Sequence, residues 1–272
     1  MILDLLPLRV LVAFGSGWVV VAAVTALADV YGAGRAGFVG GLPSTGAVSL
    51  LLIGVAQSQS AAIQATTLLP LAFAISFAFL LTYAFPKQMR FGMRMLAALA
   101  FWFLWSMLVA VFAPDNFAFS LVVSVAASTT IFFVHRSLGI KDAPGIPTRF
   151  SATRMIWRGT LGGCGVAAVV TISALGGPLV AGVFVGVPVI WSSSLYVTSR
   201  THGVEFSRSL TRAFIRTGIL TIIPYGVAAR YLFSAVGVWY GTLLTYVVIS
   251  PGAWLAWKLT ARVRGDAELA GE

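Results

Sequence analysis

Charge is what this chain has least of. Asp, Glu, Lys and Arg together make up 10% of its 272 residues, where a soluble domain carries about a quarter. So few charged groups cannot cover the surface of a water-soluble protein of this length, which excludes an ordinary globular domain. Acidic residues number eight, and none falls in the middle of an apolar stretch; Asp29, Asp115 and Glu205 all stand near ends. A carboxylate proton relay inside a membrane therefore has no candidate, and no acidic pair is present to hold a metal for phosphoryl or prenyl transfer. Cys164 is the one cysteine, which excludes an internal disulfide and any CxxC metal or redox site; its small neighbours predict a packed helix face. His135 and His202 each stand alone, a poor basis for a metal or haem site. G-x-S-x-G, H-E-x-x-H and a glycine-rich loop ending in Lys-Ser/Thr are missing as well. With no constellation for covalent or acid–base catalysis, the chain reads as a non-enzyme without metal or cofactor.

What the chain has instead is apolar residues, 59% of the total, and a mean hydropathy of +0.95. Spanning a bilayer takes about 20 apolar residues, and on that ruler spans fall near 8–28, 37–56, 61–85, 92–113, 117–135, 154–174, 177–198, 209–234 and 236–257. The stretch at 117–135 is diluted by Ser120, Ser124, Ser128, Thr129 and Thr130, whose hydroxyls are expected to bond back onto their own helix. The start of the chain lacks the basic region and small-residue cleavage site of a signal peptide, so the first apolar stretch is expected to stay as a helix.

The formal net charge of +10 does not point to nucleic acid, because the basic residues are spread over loops with no soluble domain to carry them. Numbering the loops alternately, one side receives Arg35, the Lys87–Arg90–Arg94 group, the Arg136–Arg158 connector, Arg200–Arg212, and Lys258, Arg262 and Arg264. The other receives Arg9, Gln57–Ser60, Asp115, Gly176–Gly177 and Ser234–Gly237. Positive charge marks the cytoplasm. The expectation is nine spans in the cell membrane, N-terminus outside and C-terminus inside.

An internal repeat is visible at an offset of 145 residues. Gly37-Phe38-Val39-Gly40-Gly41-Leu42-Pro43 and Gly182-Val183-Phe184-Val185-Gly186-Val187-Pro188 both read G-x-x-x-G-x-P. The same offset matches Arg9 to Arg154, Gly17 to Gly162, Val21-Ala22-Ala23-Val24 to Val166-Ala167-Ala168-Val169, and Ser49-Leu50 to Ser194-Leu195. Five spans separate equivalent points, an odd number, so the second copy should be inverted with the 117–135 helix as inverter. The expected architecture is an all-α integral membrane protein of about nine transmembrane helices: repeat one over 1–113, a linking helix and basic cytoplasmic connector over 114–153, repeat two over 154–258, and a cytoplasmic tail over 259–272. Inverted repeats of this kind are an architectural signature of many secondary transporters.

The paired G-x-x-x-G-x-P segments carry two readings. Small residues four apart let helices approach closely, which is ordinary membrane packing. The proline two residues on removes a backbone hydrogen bond and frees carbonyls, tolerated only inside protein or along a cavity. Polar side chains flank both breaks. The candidate substrate-binding set is therefore Gly41, Pro43, Ser44, Thr45 and Ser49 with Gly186, Pro188, Ser192, Ser193 and Ser194. Arg208, Arg212 and Arg216 recur every four residues on one helix face. They are either snorkelling anchors or a basic funnel for an anionic solute or lipid headgroup. Arg9 and Arg154 read as anchors, Trp239, Tyr240, Trp254 and Trp257 as an interfacial belt, and Trp102 and Trp105 as packing.

Together these features predict a permease for a small anionic or zwitterionic solute, working by alternating access about the two broken helices. Two alternatives share the architecture: a lipid or lipid-carrier flippase, and a non-catalytic accessory or assembly subunit. The expected partners are membrane lipid and a small-molecule substrate, not nucleic acid; a homo-oligomer is left open.

Overall fold

The computed structural model describes residues 6–31, 42–86, 88–140 and 151–269, and among them the regular structure is helical, with no strand. The helices are α1 Leu6–Tyr31, α2 Ser44–Ala56, α3 Gln59–Ala65, α4 Leu69–Ala84, α5 Phe91–Phe112, α6 Phe117–Ser137, α7 Ala152–Gly176, α8 Pro178–Phe184, α9 Val189–His202 and α10 Val204–Leu269. Six helical stretches are long and apolar enough to cross a membrane, or seven if the bent pair α3–α4 forms one span. The chain is a multi-pass membrane protein.

Which faces are buried shows the solvent. Helix α5 buries a single stripe, Arg94, Ala98, Trp102 and Ser106, four residues apart, and turns Leu96, Val111 and Phe112 outward, each more than 70% exposed. Helix α6 does the same, burying Ser120, Ser124, Ser128, Ile131 and His135 while Val122 and Phe133 face out. A soluble helix would put these faces the other way round. Here small and polar side chains face the bundle, and large apolar ones face lipid. Helix α4 is the centre: thirteen of its sixteen residues are buried.

Two serines of α6, Ser120 and Ser124, bond across to another helix, which differs from the expectation that all would bond back. Ser124 Oγ donates to the Pro70 carbonyl at 2.6 Å, and Ser120 Oγ accepts from the Leu71 amide at 3.4 Å. Thr130 alone of the group follows the expectation, donating to the Ala126 carbonyl. Part of the reason lies at the start of α4, where first-turn amides such as that of Leu71 lack an acceptor in their own helix. The Cys164 side of α7 is exposed, so the expected packed face is not there; α7 packs through its glycines.

Two predicted spans are interrupted, and two others are joined. The 61–85 span consists of α3 and α4, bent by 45°. The 177–198 span breaks between Phe184 and Val189. The spans at 209–234 and 236–257 run together in α10, which begins earlier, at Val204, and loses helical geometry at Gly237, φ 81° and ψ 169°. Gly177, between α7 and α8, adopts nearly the same angles, φ 88° and ψ 162°. That region is essentially closed to residues with a Cβ, so glycine is what permits these abrupt reversals. Of the 37–56 span, residues 37–41 lie outside the described residues; 44–56 is α2.

Helices α1 and α7 form the most extensive seam in the fold, and glycines set its spacing. A Cβ on Gly17 would lie 2.8 Å from Val166, and one on Gly162 would lie 2.3 Å from Val21. Flanking these, Gly159 lies against Trp18, and Gly163 against Phe14. Close approach through glycine is the usual membrane substitute for hydrophobic drive between helices.

Arg230, on α10, went unremarked in the sequence because it sits inside an apolar stretch. Its Nη1 donates to the Ile63 carbonyl (3.3 Å) and to the hydroxyls of Thr66 (3.3 Å) and Thr67 (3.0 Å), and its guanidinium lies 4.7 Å from the centre of the Phe117 ring. It ties α10 to the α3–α4 bend, where the Ile63 carbonyl also accepts from the Thr66 amide and hydroxyl. Arg230→Met removes the donor to the Thr66 and Thr67 hydroxyls and is expected to lower stability by about 1–3 kcal/mol, seen as a lower unfolding temperature in detergent. An unchanged unfolding temperature would show that the bend holds itself.

Candidate functional site

The site is built from two identical pieces of backbone. Pro43 has φ −77° and ψ 47°, and Pro188 has φ −81° and ψ 46°. After each, the next amide folds back by two residues: Ser44 N–H to the Leu42 carbonyl and Val189 N–H to the Val187 carbonyl, both 2.8 Å. This is the inverse γ-turn. The first regular helical bonds follow at once, Ala47 N–H to Pro43 O at 2.9 Å and Ser192 N–H to Pro188 O at 2.8 Å. Proline dictates the arrangement: its ring fixes φ, removes a donor, and pushes the preceding residue out of the helical region. Each break starts a fresh helix inside the bundle, with first-turn amides that lack an acceptor in their own helix.

Between the breaks lies a cavity of about 40 Å³. Leu42, Pro43, Thr45 and Gly46 line it from one break, and Val187, Pro188, Ile190 and Trp191 from the other; Phe73 and Ser76 of α4 and Ile222 of α10 close the sides. A water needs at least roughly 10–15 Å³ measured this way, so in this closed form the cavity has room for a few waters, and a solute would need it to widen. The walls are mostly apolar. Ser76 Oγ occupies carbonyls, lying 2.5 Å from Gly186 O and 2.8 Å from Ala72 O. A carbonyl freed by the second break is thereby satisfied.

The predicted site residues divide into three groups. Pro43, Thr45, Gly186 and Pro188 line the cavity. Ser44 and Ser49 are buried beside it; the Ser44 and Ser192 hydroxyls are buried without a hydrogen-bond partner among the described residues. Ser193 and Ser194 do not line it: both hydroxyls bond the Ile190 carbonyl, at 3.0 and 2.7 Å, and Ser194 also accepts from Arg158 Nη2 at 2.8 Å. Gly41 lies outside the described residues. Phe73, Ser76, Ile190, Trp191 and Ile222 are lining residues that the motif did not reach. Trp191 stands at the position after Pro188 that Gly46 holds after Pro43, a signal the repeat offered; Phe73 and Ile222 come from crossing helices and had none.

Toward the basic end of the bundle the cavity-lining Trp191 belongs to a stack of rings. Trp191 stacks on Phe77 (5.8 Å between centres, 25°) and on Phe214 (6.1 Å, 20°). Beyond the rings lies a polar layer. Tyr83 and Ser207 share a hydrogen bond between hydroxyls. Arg94 Nη2 lies 3.0 Å from Glu205 Oε1, and Arg208 Nη1 lies 3.2 Å from Glu205 Oε2. Arg208 Nε also donates to the Ala84 carbonyl, and Arg94 Nε to Met89 O at 2.8 Å. Of the basic stripe, then, Arg208 is buried, Arg212 donates to the Ile140 carbonyl at 3.0 Å, and Arg216 is half-buried one turn on. The sequence placed Arg94 among loop charges, whereas it is the largest fully buried side chain.

His135 is buried and bonded to Thr211 Oγ1 at 2.8 Å. Among the described residues no three His, Cys, Asp or Glu side chains converge on a metal-sized site. Comparison of the chain with protein-family models, with curated proteins and with solved structures gives no match.

Proposed function

We propose that the chain is a secondary transporter, a permease of a small anionic or zwitterionic solute in the cell membrane, whose site is the cavity between Pro43 and Pro188. The observation that carries this reading is the pair of equal backbone breaks, 145 residues apart, facing one cavity. Interrupted helices at matching points of two halves are where transporters bind their solutes. Half-helix N-termini attract anionic and carbonyl groups, and the apolar walls add the requirement that the solute carry an apolar portion.

Several features support the inverted repeat on which alternating access would run. The contacts of the α1–α7 seam are reciprocal: Gly17 meets Val166 while Gly162 meets Val21, and each partner is displaced by the same 145 residues. A two-fold relation produces that pattern. Nine spans follow if α3–α4 is one, α8–α9 is one, α2 completes a broken span, and α10 is two. Its apolar stretch of 56 residues would be about 84 Å long as a straight helix, against a hydrocarbon core near 30 Å; the reversal at Gly237 resolves the excess. The charge distribution then places the N-terminus outside and the C-terminus in the cytoplasm.

The test is a solute screen by thermal shift on purified protein, followed by flux in proteoliposomes. Gly46→Val places methyl groups in the cavity, where the Cβ position lies 3.3 Å from Val185, and Thr45→Val removes a lining hydroxyl. Each is expected to weaken binding of a hit at least tenfold, roughly 1.4 kcal/mol, in protein that still folds. Hits bound equally well by both variants would place the site elsewhere, and a protein that binds and moves nothing fits the accessory-subunit reading.

A further inference from the structure

We propose that Arg94 and Arg208 form an oxyanion site at the inner mouth of the pathway, and that Glu205 fills it from within the chain in the closed state. The cations are built into the protein and the anion is not. Arg94 is 1% exposed and Arg208 8%, whereas the Glu205 side chain is 64% exposed. It sits in the first turn of α10 and reaches in from the surface. Two guanidinium groups reach this one carboxylate, one oxygen each. Arginine presents its donors as a fork that an oxyanion engages through two bonds at once. Glu205 leaves the Arg208 fork half used: Nη2 is buried with no hydrogen-bond partner among the described residues. A buried donor left over is costly, and an oxyanion with more acceptor oxygens, a carboxylate or phosphate free to settle between the two forks, satisfies it where tethered Glu205 does not.

The position gives the site a use, and here the inference rests on the transporter reading. Along α4, Ser76 on the cavity and Tyr83 at the polar layer are seven residues apart, about 10 Å of helix. Along α10, Arg208 precedes Phe214 of the ring stack by six residues, about 9 Å. The Phe77–Trp191–Phe214 stack, whose Trp191 lines the cavity, thus stands between the cavity and an anion held by Arg94 and Arg208. Displacing Glu205 both loads the solute's charged group and removes the tie between α5 and α10. The occupant is the charged end of the transported solute; a lipid phosphate has the same chemistry and is distinguished by the test.

The experiment titrates sodium phosphate, and separately sodium acetate, at constant ionic strength into the purified full chain in a neutral detergent, reading thermal stability. Removing the internal competitor with Glu205→Gln is expected to lower the half-saturating anion concentration at least tenfold. Adding Arg208→Gln in that background is expected to abolish the shift. Glu205→Asp, which keeps the charge but shortens its reach, serves where Glu205→Gln does not fold, with an expected threefold fall. An unchanged half-saturation in the Glu205 variants, or a shift that survives loss of Arg208, overturns the proposal. So does stabilisation by added phosphatidylglycerol with none by phosphate or acetate, since the occupant is then a headgroup. The readout needs no transport: absence of flux would count against the transporter reading alone, and flux with an unmoved half-saturation against this site alone.

Discussion

Gly182→Ala is expected to yield no folded protein, and Gly15→Ala a protein at least as stable as the parent. The contrast follows from what each methyl group meets. At Gly182 the new carbon falls 2.0 Å from the Ala65 carbonyl oxygen and 2.9 Å from its carbon, so α8 and the end of α3 must separate by more than an ångström. The obstacle is backbone, and no side chain can rotate away. Overpacking typically costs about 1–3 kcal/mol even where side chains adjust, and this site belongs above that range. Gly186 shares the arrangement, with its Cβ position 2.8 Å from the Ala72 carbonyl oxygen. Gly15 lies on the outer face of α1 with nothing within 4 Å, and alanine in a helix interior gains about 0.5–1 kcal/mol over glycine. Size-exclusion profiles of fluorescent fusions in detergent separate the two outcomes. A monodisperse Gly182→Ala peak at parental height would mean that α8 and α3 do not pack this closely.

The second large effect is all-or-none. With Cys164 replaced by serine, a cysteine at Ser60 is expected to react with a membrane-impermeant maleimide on intact cells, and one at Thr201 only after the membrane is opened. Both positions are exposed. Ser60 lies where α2 turns into α3, and Thr201 in the last turn of α9, ahead of Gly203. These are the turns that follow the two prolines in each half. The first is uncharged; the second carries Arg200 and Arg208. If the halves are inverted, the two turns must lie on opposite faces. Reaction of both from one face would remove the inversion, and alternating access between repeats with it.

What the sequence made legible is what proline and glycine do locally. Pro43 and Pro188 announce their breaks because a fixed φ and a missing donor act within a few residues, whatever surrounds them. Gly182 and Gly186 announce close approach for a similar reason, and both face backbone. The hydroxyl inventory was less informative, because a serine in a helix can satisfy itself. Ser193 and Ser194 do so through the Ile190 carbonyl, while Ser76, which drew no notice, reaches across to Gly186. Long-range pairings left no local trace. Arg94 meets a carboxylate 111 residues away, and a charge at the start of an apolar run looks the same whether it faces water or lies buried. Arg230 likewise meets backbone and threonine acceptors more than 160 residues away, which its place inside an apolar stretch does not show.

The α1–α7 seam has a consequence for how the two halves find each other. At its centre the contact is mutual, Gly17 to Val166 and Gly162 to Val21. Either helix could make that contact with a copy of itself. On the flanks the equivalent positions have diverged: α1 carries Phe14 and Trp18 where α7 carries Gly159 and Gly163, and each ring rests on the other helix's glycine. Two copies of α1 would set Phe14 against Trp18, and two copies of α7 would leave glycine facing glycine over a void. The seam therefore works as a mating code, in which self-pairing is penalised by collision in one case and emptiness in the other.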